Sequence, residues 1–165
     1  LGDPASAEHK AVAEMLLRTA RHDANPRIRA EAVMSLNLSE LGGSDGQTLL
    51  EVLRTDADED VRATVAGILP HASGVAAETR LSGMEGQYAK ETSTMVRRML
   101  LGSIVQLGGA RSQPILARLK GVDPTFAKDI DEYLGILESG VTDGMEIEMK
   151  KAALSDGAAL PGSDR

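Results

Sequence analysis

The sequence has no cysteine and no tryptophan, and it holds only one phenylalanine and two tyrosines. Without cysteine there is no disulfide framework, no thiolate metal site and no cysteine nucleophile. Without aromatic bulk, burial must come from Leu, Ile, Val, Met and Ala, which let helices pack closely and favour helix over strand. The chain is therefore expected to be all-α. No apolar run approaches the ~20 residues that a membrane helix needs, and no signal-peptide pattern opens the chain. It reads as soluble, with the cytoplasm favoured over the periplasm. Basic residues are outnumbered, 18 against 25 acidic, for a net charge of −7. That balance argues against a general polyanion binder, so no nucleic-acid partner is expected.

What is present is a repeat. Asp23-Ala-Asn-Pro-Arg-Ile-Arg29 returns as Asp56-Ala-Asp-Glu-Asp-Val-Arg62, as Glu91-Thr-Ser-Thr-Met-Val-Arg97, and in degraded form as Val122-Asp-Pro-Thr-Phe-Ala127. In each copy a capping residue (Asn25, Asp58, Ser93, Asp123) lies three positions before a large apolar one (Ile28, Val61, Val96, Phe126), as a helix start requires. At 165 residues and 42% apolar content, the chain is long enough for one continuous core.

Hydrophobic periodicity divides residues 1–154 into helix pairs of about 3–42, 43–74, 75–109 and 110–140, with a closing helix over 143–154. Asp3 and Pro4 are expected to open a first helix carrying Val12, Leu16 and Leu17 and running to about Arg21. The second helix is predicted over Pro26–Leu41, closed by Gly42 in a left-handed conformation. Shorter helices follow over Asp45–Arg54 and then to about Pro70. The segment Val75–Lys90 reads as an irregular helix because of Gly83 and Gly86. Thr94–Leu107 is the most apolar helix. Arg111–Lys120 and Pro124–Ser139 form the fourth pair, with Tyr133, Leu134 and Leu137 among its apolar positions. The closing helix places Met145, Met149, Ala152 and Ala153 on one face. Residues 155–165 are expected to be disordered. Leu1-Gly2, like Leu41-Gly42-Gly43 and Leu107-Gly108-Gly109, reads as the end of a helix, so the chain is expected to be excised from a longer protein and to tend to self-associate.

A two-helix unit of 30 to 35 residues, with Asp in the turn and Val-Arg opening the second helix, resembles the short bacterial HEAT-like repeats, including those of phycobilisome-lyase type. The resemblance covers residues 3–140. It implies a right-handed α-solenoid, an armadillo-type superhelix of about four helix pairs plus a C-terminal helix. It also implies a ladder of hydrogen-bonded charges between consecutive units, for which the matching pairs are Asp23 with Arg29, Asp56 with Arg62 and Glu91 with Arg97. The fourth unit offers Val122 and Ala127 instead, so the ladder is expected to end there.

Chemistry is harder to place. His9, His22 and His71 show no two-ligand spacing, and the chain has no His-Glu dipeptide, so no metal or cofactor is expected. Asp56–Asp60 lacks the Gly and Glu of a calcium loop. Asp129 and Glu132 share a helix face, but neighbouring acids make a solvated surface the better reading than an acid/base pair. An enzyme is not expected. The leading reading is a non-catalytic scaffold or adaptor that binds a protein segment on the concave face of the solenoid, the alternatives being a chromophore-lyase-like accessory protein and a DNA-binding HEAT-like glycosylase. Counting from each second-helix opener, that face holds Met34, Asn37, Gly67, Pro70, Arg98, Gly102, Val105 and Lys128.

Overall fold

The computed structural model describes residues 4–155. These residues are all-helical, with no strand among them. By compactness the chain divides between Ser103 and Ile104 into two units.

The first unit begins with α1 (Pro4–His22) and α2 (Pro26–Met34), continues with α3 (Gly43–Thr55) and α4 (Glu59–Ile68), and then with α5 (Ala77–Tyr88). The next helix, α6 (Thr94–Gly108), runs through the division. Short polar turns start the second helices. Asn25 caps α2 through its side-chain oxygen, which accepts from the Arg27 N–H, and Asp58 caps α4 by accepting from Asp60 and Val61. Packing is pairwise and sequential: α1 lies on α2 and α3, α2 on α4, α3 on α4 and α5. Leu49, Leu53, Val61, Val65, Leu69 and Met84 are excluded from solvent in this core.

The second unit contains α7 (Gln113–Val122), α8 (Ala127–Glu138) and α9 (Gly144–Ser155), with one-turn 3₁₀ segments ahead of α7 and α8. Ile104, Val105, Leu116, Ile130 and Ile147 are completely buried in it. Gly109 has φ +51°, and a Cβ there would strike the Thr142 carbonyl oxygen. Close approach of two backbones therefore fixes that residue.

Several sequence expectations are corrected. Helix α2 stops at Met34 rather than Leu41: the Ser35 N–H still makes the helical bond to the Glu31 carbonyl, but the Leu36 N–H then turns to Val33, three residues back, while the Ser35 hydroxyl adds to the Glu31 carbonyl and Ser39 bonds Asn37; such short polar side chains compete with further helical hydrogen bonding. Gly42 is extended (φ −80°, ψ 174°) and starts α3, its N–H donating to Asp45, so it is not a left-handed stop. The left-handed glycine of that region is Gly74, whose φ is +83°. Helix α5 is regular despite its glycines, and Gly83 lets it approach Leu50 of α3. On α8 the buried positions are Ile130, Tyr133 and Ile136, while Leu134 and Leu137 are half-buried. Helix α9 buries Gly144, Ile147 and Lys151, leaving Met145 and Met149 exposed. Asp3, Leu1-Gly2 and all but the first residue of the 155–165 segment lie outside the described residues.

Candidate functional site

The most organised polar arrangement is a pair of charge rungs in the first unit. Arg29, in the opening turn of α2, places its Nε and Nη2 on the two carboxylate oxygens of Asp56, each at 2.8 Å, and its Nη1 on the Asp23 carbonyl at 2.9 Å. Arg62, in the opening turn of α4, does the same one pair later. Its Nε and Nη2 meet Glu91 at 2.9 and 2.8 Å, and its Nη1 reaches the Asp56 and Ala57 carbonyls. The bidentate partner is therefore the turn acid of the following pair, 27 or 29 residues on, and the acid six residues earlier contributes only its backbone oxygen. The within-repeat pairings Asp23–Arg29 and Asp56–Arg62 are corrected accordingly. Arg97 continues the pattern on its near side: its Nε donates to the Glu91 carbonyl at 2.7 Å.

These rungs are poor in water. Arg29 and Arg62 side chains are 13% exposed, Asp56 6% and Glu91 2%. Burial alone would push the Glu91 carboxyl up, yet the Arg62 fork, the Ser93 N–H, the Gln87 amide and the Arg62 charge together hold it at about 2. Asp56 is lowered too, against burial, by Arg29 and by the Asp58 N–H. The acidic run Asp56–Asp60 is thus committed: Asp56 to Arg29, and Asp58 to the α4 cap.

The second unit carries a different cluster between α8 and α9. Lys151 of α9 donates to Asp129 at 2.9 Å, lies 2.7 Å from Glu132, and has its Nζ 5.4 Å from the centroid of the Tyr133 ring. The Tyr133 hydroxyl lies beside Glu148, whose Oε1 is buried without a partner. Burial pushes the Glu148 carboxyl up, against the opposing influences of Tyr133 and Lys151. Burial and the Glu148 charge likewise push the Tyr133 hydroxyl up. Asp129 and Glu132, set aside as surface acids in the sequence, are the partners of a buried lysine. Asp123, 4% exposed, accepts from the Thr125 N–H two residues on. Asp23, Asp56 and Glu91 each make that same bond to the residue two places later. Asp123 is therefore the fourth turn acid, and six residues beyond it stands Asp129 where earlier copies have Arg. Asp123 is at the same time the cap of the 3₁₀ turn that opens this pair, as the sequence spacing has it.

Of the proposed partner-binding residues in the first unit, Met34 is 71% exposed, Asn37 and Arg98 are exposed, and Gly67, Pro70 and Gly102 are half-buried. A Cβ on Gly67 would lie 3.4 Å from Met99 Sδ, an ordinary contact distance, so Gly67 faces α6 without close packing requiring a glycine there. In the second unit Lys128 is exposed. Val105 is completely buried and is withdrawn from the set, because it contributes to the core instead. Asn37 also lines an open groove of about 890 Å³ between α1 and the segment leading into α3, together with Val12, Leu16 and the His9–Glu40 contact at 3.2 Å.

Among the described residues no group of three or more His, Asp or Glu side chains is placed to hold a metal ion, and no helix is long and apolar enough to cross a membrane. Comparison of the chain with protein-family models, with curated proteins and with solved structures finds no match in any of the three.

Proposed function

We propose that this protein is a non-catalytic interaction scaffold, an α-solenoid of HEAT-like helix pairs that binds a segment of a protein partner on the face containing Met34, Asn37 and Arg98. The observation that carries the reading is the pair of equivalent rungs, Arg29–Asp56 and Arg62–Glu91, which join successive helix pairs by one repeated geometry. Their charges are mutually satisfied and largely buried, so they serve the stack rather than a substrate. Elements tied in this way make a rigid support on which exposed side chains keep fixed spacing. Met34 supplies a large exposed apolar contact, and Arg98 supplies a cation that suits an acidic partner segment.

The test is capture of partners from the source cell with the wild-type chain and with Met34→Asp combined with Arg98→Glu. Both substitutions fall on exposed positions, so helicity and Tm should stay near wild type while the captured partner is lost. Equal capture by the double variant removes this face from consideration.

A further inference from the structure

The internal repeat allows one helix pair to be compared with the next at equivalent positions, and the first pair is incomplete in one consistent respect. Asp56 and Glu91 each sit in a turn, accept the N–H of the residue two places later, and receive a bidentate arginine from the preceding pair. Asp23 occupies the same turn and accepts the Asn25 N–H at 2.8 Å, but among the described residues no cation pairs with its carboxylate. Arg29, the nearest candidate, turns its fork to Asp56 and touches only the Asp23 carbonyl. The apolar neighbours agree. Val61 and Val96 are completely buried, whereas Ile28, their equivalent, is 41% exposed. Leu49 and Met84 are completely buried, whereas Leu16, at the matching place in α1, is only half-buried.

We propose that the edge of the first pair carrying Asp23, Ile28 and Leu16 is a docking edge for a further helix pair that presents an arginine in the opening turn of its second helix. The guanidinium would fork onto Asp23 as Arg29 does onto Asp56, and the partner's apolar face would cover Ile28 and Leu16. Charge selects the occupant: a bare carboxylate already oriented by a backbone N–H matches a planar five-donor cation better than an ammonium. This edge shares Leu16 with the groove that Asn37 lines, but Asp23 and Ile28 lie outside that groove, so a test at Asp23 is read separately from one at the partner face.

The experiment fuses a copy of residues 43–76, which contains α3, α4 and Arg62, ahead of the full chain. The expected results are a gain in helical signal proportional to the added pair and a new sensitivity at Asp23. Asp23→Asn, which keeps the oxygen that accepts from Asn25, should lower Tm by about 5 °C in the fusion. The same substitution should lower it by less than about 1 °C in the unfused chain, or when the copy carries Arg62→Ala. A second fusion with a Gly/Ser linker of about eight residues guards against a strained junction. The proposal is overturned if the copy stays unfolded with both linkers, or if Asp23→Asn has the same effect in all three backgrounds. Dimerisation of the unfused chain that Asp23→Asn abolishes would also overturn it, by putting a second copy in the place of the added pair.

Discussion

The two compact units solve one problem with opposite signs. In the first, the cation stands on the second helix of a pair, at Arg29 or Arg62, and the carboxylate on the turn that follows, at Asp56 or Glu91. In the second, the acids Asp129 and Glu132 stand on the second helix, and the cation, Lys151, comes from the helix that follows. What recurs is the joining of neighbouring helices by charge six residues beyond a turn acid, and the sign at either end is exchangeable. The cost of the exchange is visible in satisfaction. An arginine fork occupies both oxygens of its partner, while the lysine cluster leaves Glu148 Oε1 buried and unbonded.

The largest expected effect belongs to the first unit. Glu91→Ala leaves Arg62 facing a low-dielectric site and strips acceptors from Gln87, Thr92 and Ser93, for a loss of roughly 3–5 kcal/mol in denaturant unfolding. A loss of less than about 1 kcal/mol would mean that the rung is ornamental.

The units should also respond to pH in opposite directions. Glu91 is depressed from 4.5 to about 2, so the stability it contributes is complete above pH ~4.5 and is lost as pH falls toward 2, up to about 3 kcal/mol. Glu148 is raised, so its contribution is complete below the ordinary carboxylate range and is lost as pH rises through its elevated value. The chain carries its own reporters, since it has no tryptophan and its two tyrosines lie one in each unit, Tyr88 and Tyr133. In Tyr88→Phe the remaining fluorescence follows the second unit, and in Tyr133→Phe the first. Unfolding midpoints of the two variants should diverge with pH, and parallel profiles would erase the contrast.

Smaller effects sharpen it. Lys151→Ala should cost about 1–2 kcal/mol, less than loss of Glu91, because Asp129 and Glu132 remain 41% and 27% exposed and water can replace the lysine. Arg27→Ala removes a side chain that is 85% exposed and paired only along its own helix, and should change stability by less than about 0.5 kcal/mol. Arg80→Ala should cost more than Arg27→Ala, because the Arg80 Nη1 donates to the Leu69 and Pro70 carbonyls.

The helical class and most element positions were legible because cap and apolar opener recur at fixed spacing, as at Asp58 and Val61 or Ser93 and Val96. Register between pairs was not. Arg29 is six residues from Asp23 and 27 from Asp56, and sequence spacing favours the nearer acid although the fork reaches the farther one. The end of α2 was misjudged because apolar periodicity continues through Leu36 and Leu41, both buried, while the backbone has already left the helix at Ser35. The lysine cluster escaped notice because Lys151 lies 22 residues beyond Asp129, on a helix whose exposed methionines gave the stronger periodic signal.

The central claim is that the arginine forks couple one helix pair to the next. A double-mutant cycle of Arg62→Met and Glu91→Gln, read by denaturant unfolding at neutral pH, tests it most directly. A coupling energy of about 2–3 kcal/mol is expected for a buried bidentate pair. Effects of the two substitutions that add to within about 0.5 kcal/mol would contradict the account.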